Sequence, residues 1–173
     1  MTLANTLTIA RAFLVIPVIG LIATGDASLA LVVFIIAAAT DALDGPLARR
    51  GGATAVGAAL DPLADKILVV GTLAALALRG IAPAWAVVLI LAREVVAIEV
   101  RARAPQAVVA SADGKAKTVL QVAAIALLLA SAAWPATGLA TVANAVLVAA
   151  TALTVLSGVR LVLRAKQTTA HAA

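Results

Sequence analysis

Long apolar stretches alternate with short polar breaks along the whole chain. The breaks are segments in which glycine, proline and charged residues cluster, namely TGDAS, RRGGAT, RGIAP, RARAPQAVVASADGK and WPATG. Each apolar stretch approaches or exceeds the roughly 20 residues that a helix needs to cross a bilayer. The pattern therefore predicts an all-α integral membrane protein, one domain over residues 1–173, with six transmembrane helices at about 5–24, 28–48, 58–79, 82–102, 116–134 and 139–163.

The composition excludes a soluble domain. Hydrophobic residues make up 64% of the chain and charged residues 12%, against about 45–50% and about 25% in soluble domains. The net charge of +5 does not indicate nucleic-acid binding, because the basic residues are scattered and only 2% of the chain is aromatic. The absence of cysteine rules out disulfides and thiolate metal sites.

The distribution of basic residues predicts the orientation. Of the 13 lysines and arginines, all except Arg79 lie near the same ends of the predicted helices. Because cytoplasmic loops are enriched in lysine and arginine, we expect a multi-pass protein of the cell membrane with both termini in the cytoplasm. The stretch 41–66 then lies at the cytoplasmic side.

Four aspartates stand out in that stretch. Asp41 and Asp44 are three residues apart, and Asp61 and Asp65 are four apart, so each pair shares one face of a helix. A hairpin through RRGGAT would turn the two faces toward each other around one cavity. Four bare carboxylates would repel one another, whereas oxygen ligands without cysteine or histidine suit Mg²⁺ or Mn²⁺.

The residues between the aspartates favour phosphate chemistry. Two ions about 3.5–4 Å apart can hold a pyrophosphate. Gly45, Ala48 and Gly57 leave room for a close approach of substrate and backbone, Arg49 can hold a phosphate through its planar guanidinium, and Thr54 offers a hydroxyl.

Two other interpretations of the aspartates remain open on residues alone. Carboxylates at helical spacing form a solvated face in most soluble proteins. In apolar surroundings they indicate function, and a small ion-coupled or proton-coupled transporter would also need them. Composition and spacing favour the metal site over the transport pathway without deciding between them.

The same stretch resembles the signature of the CDP-alcohol phosphotransferase family, D-x-x-D-G-x-x-A-R…G-x-x-x-D-x-x-x-D. The eight fixed positions are filled by Asp41, Asp44, Gly45, Ala48, Arg49, Gly57, Asp61 and Asp65. The resemblance implies six helices around a polar cavity open to the cytoplasm, often in a homodimer. It also implies an enzyme in which an alcohol hydroxyl attacks the β-phosphorus of CDP-diacylglycerol and CMP is released.

The resemblance assigns roles to residues. It implies that Asp41, Asp44, Asp61 and Asp65 hold two metal ions, either Mg²⁺ or Mn²⁺. It also implies that Asp65 is the general base that accepts the proton of the acceptor hydroxyl. The CDP moiety would be bound by Asp41, Asp44, Gly45, Ala48, Arg49, Thr54 and Gly57.

Segments outside the signature bear on the acceptor alcohol. NTLTIAR (5–11), DPLADK (61–66), AREVVAIEVR (92–101) and GKAKTVLQ (114–121) are similar to the branch that forms phosphatidylglycerol phosphate from glycerol 3-phosphate. DPLADK is equally similar to the branch that uses phosphatidylglycerol and forms cardiolipin.

A dianionic acceptor phosphate needs cations that the CDP site does not supply. Arg93, Arg101, Lys115 and Lys117 lie on the cytoplasmic side of the fourth and fifth predicted helices, and we expect them to bind it. Arg93 falls inside its helix with Glu94 beside it. The alternative is that these four cations only follow the positive-inside rule and contact lipid head groups.

Overall fold

A computed structural model of the protein describes residues 3–51, 55–103, 112–135 and 138–170, and within them the side chains of 13–40, 66–100, 102, 116–135 and 138–167. These residues form six α-helices: α1 (Leu3–Thr24), α2 (Ala27–Gly51), α3 (Ala55–Leu78), α4 (Ala84–Arg103), α5 (Ala112–Ala133) and α6 (Leu139–Ala170). The predicted all-helical class and the six predicted helices are confirmed.

Two helix boundaries extend beyond the apolar stretches. Helix α5 begins at Ala112, four residues before the predicted start, and α6 continues to Ala170, seven residues beyond the predicted end at 163. The added segments, ADGK and RAKQTTA, are polar, but Arg, Ala, Lys and Gln are good helix formers. Hydropathy predicts which part of a helix could lie in the membrane, and the helix itself can extend beyond that part at either end.

Two helices carry apolar windows long enough to cross a bilayer by length and composition, Ala116–Ala133 and Leu139–Gln167. Helices α1, α2 and α3 carry shorter apolar windows within the described residues, Phe13–Thr24, Ala27–Thr40 and Lys66–Leu78. The outer surface is apolar as well, since Phe13, Leu78 and Val119 are 64%, 90% and 67% exposed. An apolar exterior of this extent is suited to lipid.

Tight glycine turns close one end of the bundle. Gly25 has a φ of 92°, and the amides of Gly25 and Asp26 donate to the carbonyls of Ile22 and Leu21, which ends α1 in a Schellman motif. Gly80, with a φ of 69°, ends α3 in the same way. These turns fix how α1 meets α2 and how α3 meets α4.

The first of these turns also starts the next helix. The Asp26 carboxylate accepts hydrogen bonds from the Leu29 amide at 3.0 Å and from the Ser28 hydroxyl at 2.8 Å, so it caps the N-terminus of α2. Both hydrogen bonds stabilise the charged carboxylate and lower the pKa of Asp26 below its ordinary value, the bond from the Leu29 amide more than the bond from Ser28.

The core is built from small and branched side chains at helix contacts. Phe34, Leu73, Leu128 and Leu147 are fully buried, and α1 packs against both α2 and α3 while α6 packs against α4 and α5. Helices α3 and α5 begin, and α4 ends, at the end of the bundle opposite the glycine turns. That opposite end contains the residues that the sequence predicts to be functional.

Candidate functional site

The four aspartates lie on two consecutive helices. Asp41 and Asp44 are in the last three turns of α2, and Asp61 and Asp65 are in the first three turns of α3. Because both segments are helical, the members of each pair share a helix face, as the spacing predicts. Their side chains lie outside the described part of the structure, so the meeting of the two pairs around metal ions stays a prediction.

The residues predicted to bind CDP are distributed over the same two helices. Gly45, Ala48 and Arg49 belong to α2 and Gly57 belongs to α3. The side chains of this part of the two helices lie outside the described part of the structure. Thr54 lies outside the described residues. Their contacts with a nucleotide therefore also remain predictions.

Four charged side chains from three helices meet around one carboxylate, and we call Lys66, Arg93, Glu94 and Lys117 the Glu94 cluster. Lys117 Nζ donates to Glu94 Oε1 at 2.5 Å, and Arg93 Nη1 lies 3.0 Å from the same oxygen. Lys66 Nζ lies 3.0 Å from Glu94 Oε2. The cluster joins the middle of α3 to α4 and to the second turn of α5.

Helix α6 supports the cluster from the side of Arg93. Arg93 Nη2 donates to the Ser157 hydroxyl at 3.1 Å. A Cβ atom built on Gly158 would lie 2.9 Å from Arg93 Cγ, so a glycine is needed for the aliphatic part of Arg93 to cross α6. Helix α6 thus determines the direction in which the guanidinium group extends.

One turn farther along α5 lies a second polar contact. Gln121 Nε2 donates to the Thr154 hydroxyl at 2.9 Å, and both residues are buried. The Thr154 hydroxyl in turn donates to the Ala150 carbonyl at 2.7 Å. This contact ties α5 to α6 directly behind Lys117 and keeps the two helices in register.

The cluster is buried on one side and more open on the other. The side chains of Lys117 and Glu94 are 8% and 9% exposed, that of Arg93 is 12% exposed and that of Lys66 is 21% exposed. Lys66 directly follows Asp65 in the chain. The accessible side of the cluster is therefore the side on which Lys66 lies.

The charges in the cluster do not balance. Three cations surround one carboxylate, which leaves a formal charge of +2 on these four described side chains in a largely buried place. The Arg93 Nε atom is also buried and has no hydrogen-bond partner among the described residues. Since an unpaired buried donor costs about 1–3 kcal/mol, these features suit a site that receives an anion of charge −2.

The structure brings together two of the four residues predicted to bind the acceptor phosphate. Arg93 and Lys117 meet at Glu94, and the predicted proximity of Arg93 to Glu94 is confirmed at 3.0 Å. Arg101 and Lys115 belong to α4 and α5, but their side chains lie outside the described part. Position 101 comes seven residues after Glu94, close to the same helix face.

Sequence reasoning missed the contributions of Lys66 and Glu94. In the sequence, Lys66 is one of the basic residues that predict the orientation and the last residue of DPLADK, and Glu94 is the neighbour of Arg93 within AREVVAIEVR. A signal was present, because ionisable residues inside apolar segments usually face a partner or a functional cavity. What could not be derived was the packing of α3, α4 and α5 that joins them.

Comparison with known proteins supports the resemblance found in the sequence. A relative from Mycobacterium tuberculosis (strain CDC 1551 / Oshkosh), described as a probable phosphatidylglycerophosphate synthase, is 41% identical over 136 residues, covering 77% of this chain and 64% of the relative. The chain thus spans slightly less than two thirds of that relative's length.

Two further relatives differ in the acceptor that their names imply. A Bacillus subtilis (strain 168) CDP-diacylglycerol–glycerol-3-phosphate 3-phosphatidyltransferase is 42% identical over 102 residues, or 57% of this chain and 53% of the relative. A probable CMP-forming cardiolipin synthase of Drosophila melanogaster is 40% identical over 98 residues, or 55% of this chain and 30% of the relative.

A family model provides the broadest match. The model described as CDP-alcohol phosphatidyltransferase covers residues 1–158, which include both aspartate pairs and the whole Glu94 cluster. With the eight signature positions filled and six helices in place, the chain belongs to the CDP-alcohol phosphatidyltransferase family.

Proposed function

We propose that the protein is a membrane phosphatidyltransferase of phospholipid biosynthesis. It transfers the phosphatidyl group of CDP-diacylglycerol to sn-glycerol 3-phosphate and yields phosphatidylglycerol phosphate and CMP. The observation that carries the choice of acceptor is the Glu94 cluster, in which Lys66, Arg93 and Lys117 surround a single carboxylate. Lys66 directly follows Asp65 in the chain. The names of the mycobacterial and Bacillus relatives support the same acceptor.

In this proposal all six helices cross the cell membrane and the polar end of the bundle faces the cytoplasm. Support comes from the apolar exterior, the two long apolar helices and the bias of basic residues toward one end. The lipid donor would reach the site from the surrounding bilayer, and the soluble acceptor from the cytoplasm. As the family resemblance implies, the working unit is a homodimer.

The proposed reaction assigns each group of residues a task. Asp65 removes the proton of the acceptor hydroxyl as the hydroxyl oxygen bonds to the β-phosphorus of CDP-diacylglycerol, and the bond from that phosphorus to the CMP oxygen breaks. Arg49 and the small residues Gly45 and Gly57 hold the pyrophosphate and cytidine. The Glu94 cluster holds the acceptor phosphate and so positions its hydroxyl.

The aspartates suit the metal that this chemistry uses. Asp41, Asp44, Asp61 and Asp65 offer only carboxylate oxygens on two helix faces, a donor set that favours Mg²⁺ or Mn²⁺ over softer metals. Bound there, these ions would stabilise the negative charge of the pyrophosphate and of the leaving CMP. The four carboxylates would be held in place by the helices α2 and α3.

The runner-up is a CMP-forming cardiolipin synthase, which one of the relatives is named for. Its acceptor, phosphatidylglycerol, carries a phosphodiester with a single negative charge. A cluster with a formal charge of +2 exceeds what that acceptor needs. The non-enzyme alternative is a small ion-coupled transporter, which would need no such cluster of cations.

The proposal is tested by comparing CMP release with different acceptor alcohols. The purified protein, in nanodiscs with CDP-diacylglycerol and Mg²⁺, is expected to release CMP when sn-glycerol 3-phosphate is added and at least about tenfold more slowly with phosphatidylglycerol or glycerol. Release with phosphatidylglycerol alone would promote the cardiolipin synthase. The absence of acceptor-dependent CMP would leave the transporter as the better explanation.

The orientation is testable because the chain has no native cysteine. Ser28→Cys, beside the first glycine turn, is expected to react with a membrane-impermeant maleimide added outside intact cells. Gln167→Cys, near the end of α6, is expected to react only after the membrane is opened. The reverse labelling, or equal labelling of both, would contradict the proposed topology.

A further inference from the structure

The Glu94 carboxylate is placed where a ligand anion and a structural anion would compete for the same cations. Its two oxygens contact Lys66, Arg93 and Lys117. The three positive charges share this single negative charge, so it cannot neutralise all of them. Without that carboxylate, the three positive groups from three helices would repel one another. Glu94 therefore does more than neutralise a neighbour.

We propose that Glu94 is a positioning residue that assembles Lys66, Arg93 and Lys117 into a single receptor of charge +2 for a phosphomonoester dianion. The proposal rests on the proposed function and deepens it, since it identifies Lys66 and Glu94 as determinants of the acceptor. The match of charges selects a dianionic phosphomonoester against a singly charged phosphodiester, which is the chemical difference between glycerol 3-phosphate and phosphatidylglycerol.

The buried face of the cluster explains how the cations keep their direction. Glu94 and Lys117 are nearly inaccessible, with 9% and 8% of their side chains exposed, and Arg93 is fixed between Glu94 and Ser157. Among the residues whose side chains the structure describes, Arg93 Nε has no hydrogen-bond partner, and in this proposal it is the donor that the ligand uses. Lys66, the most exposed member, connects this receptor to the helix that carries Asp61 and Asp65.

The decisive measurement is the direction in which the acceptor KM changes in Glu94→Gln. If the carboxylate positions the cations, its loss separates them, and KM for sn-glycerol 3-phosphate rises at least about tenfold while KM for CDP-diacylglycerol stays within about twofold. If charge alone governed affinity, the extra net positive charge would lower the acceptor KM. A lower or unchanged acceptor KM overturns the proposal, and so does an equal rise for both substrates.

A second variant covers the case in which Glu94→Gln does not fold, because three buried cations would then lack a counter-charge. Gly158→Ala places a methyl group 2.9 Å from the Arg93 Cγ position and should displace the guanidinium without changing any charge. We expect a several-fold rise in the acceptor KM alone. Gly20→Ala is the matched control, since its Cβ would meet nothing within 4 Å. An acceptor KM in folded Gly158→Ala equal to that of the control overturns the proposal.

A binding measurement separates failure of this inference from failure of the proposed function. sn-Glycerol 3-phosphate should raise the melting temperature of the wild-type protein without CDP-diacylglycerol, and glycerol should not. A wild-type protein that neither binds sn-glycerol 3-phosphate nor releases CMP with it overturns the proposed function and this inference together. A wild-type protein that does both, with Glu94→Gln unchanged in acceptor KM, overturns this inference alone.

Discussion

Asp65→Asn is expected to lower the rate of CMP release by about a hundredfold to ten-thousandfold, the range typical of a lost general base. Asparagine has nearly the same shape as aspartate but cannot accept the hydroxyl proton. Binding of CDP-diacylglycerol should be largely retained, because Asp65 acts on the acceptor. The measurements are single-turnover CMP release and retention of radiolabelled CDP-diacylglycerol by the purified protein.

Two comparisons give the Asp65 result its meaning. Asp41→Asn should weaken both binding and turnover, because Asp41 is predicted to hold metal and to lie near the nucleotide. Asp26→Asn is the matched control at the opposite end of the bundle, where asparagine is also a good helix cap. Equal loss of CDP-diacylglycerol binding in Asp65→Asn and Asp41→Asn would mean that Asp65 is mainly a metal ligand.

Removal of divalent metal is expected to reduce CMP release to the background rate. EDTA treatment followed by titration with Mg²⁺ or Mn²⁺ should restore activity along a saturation curve, since the carboxylates alone would repel one another and the pyrophosphate. Asp61→Asn should shift the half-saturating metal concentration upward by about tenfold, consistent with the loss of a charge-assisted ligand.

The control for metal removal is again Asp26→Asn, which should leave the metal titration unchanged. Full activity in EDTA would contradict the assignment of the four aspartates as metal ligands. An unchanged half-saturating concentration in Asp61→Asn would remove Asp61 from the ligand set while leaving the other three to be tested in the same way.

The helices could be predicted from the chain because their signal is local. Apolar stretches bounded by glycine, proline and charge gave all six helices, with α1 and α2 within three residues of their ends in the structure. The ends of α5 and α6 differed, because helix propensity continues past the point at which hydropathy falls. The crossing of the membrane by all six remains a prediction, and the labelling experiment tests the sides of the membrane on which Ser28 and Gln167 lie.

The candidate site was predictable only in its local parts. The spacing of the aspartates fixed their helix faces, and the pairing of Arg93 with Glu94 followed from adjacency. The convergence of Lys66 and Lys117 on the same carboxylate depends on the packing of α3 against both α4 and α5, and residues 66 and 117 are distant in the chain. Long-range packing of this kind leaves no periodic trace in a single sequence.

Arg79 is the exception to the distribution of basic residues, and its contact shows how the exception is accommodated. Its Nη1 atom donates to the Ala23 carbonyl at 3.3 Å, at the C-terminal end of α1, where the helix dipole favours a positive charge. In the proposed orientation this guanidinium must be carried across the bilayer during biogenesis. There it joins the end of α3 to the end of α1, so the one cation on the far side of the membrane would be held by a helix end and not by lipid head groups alone.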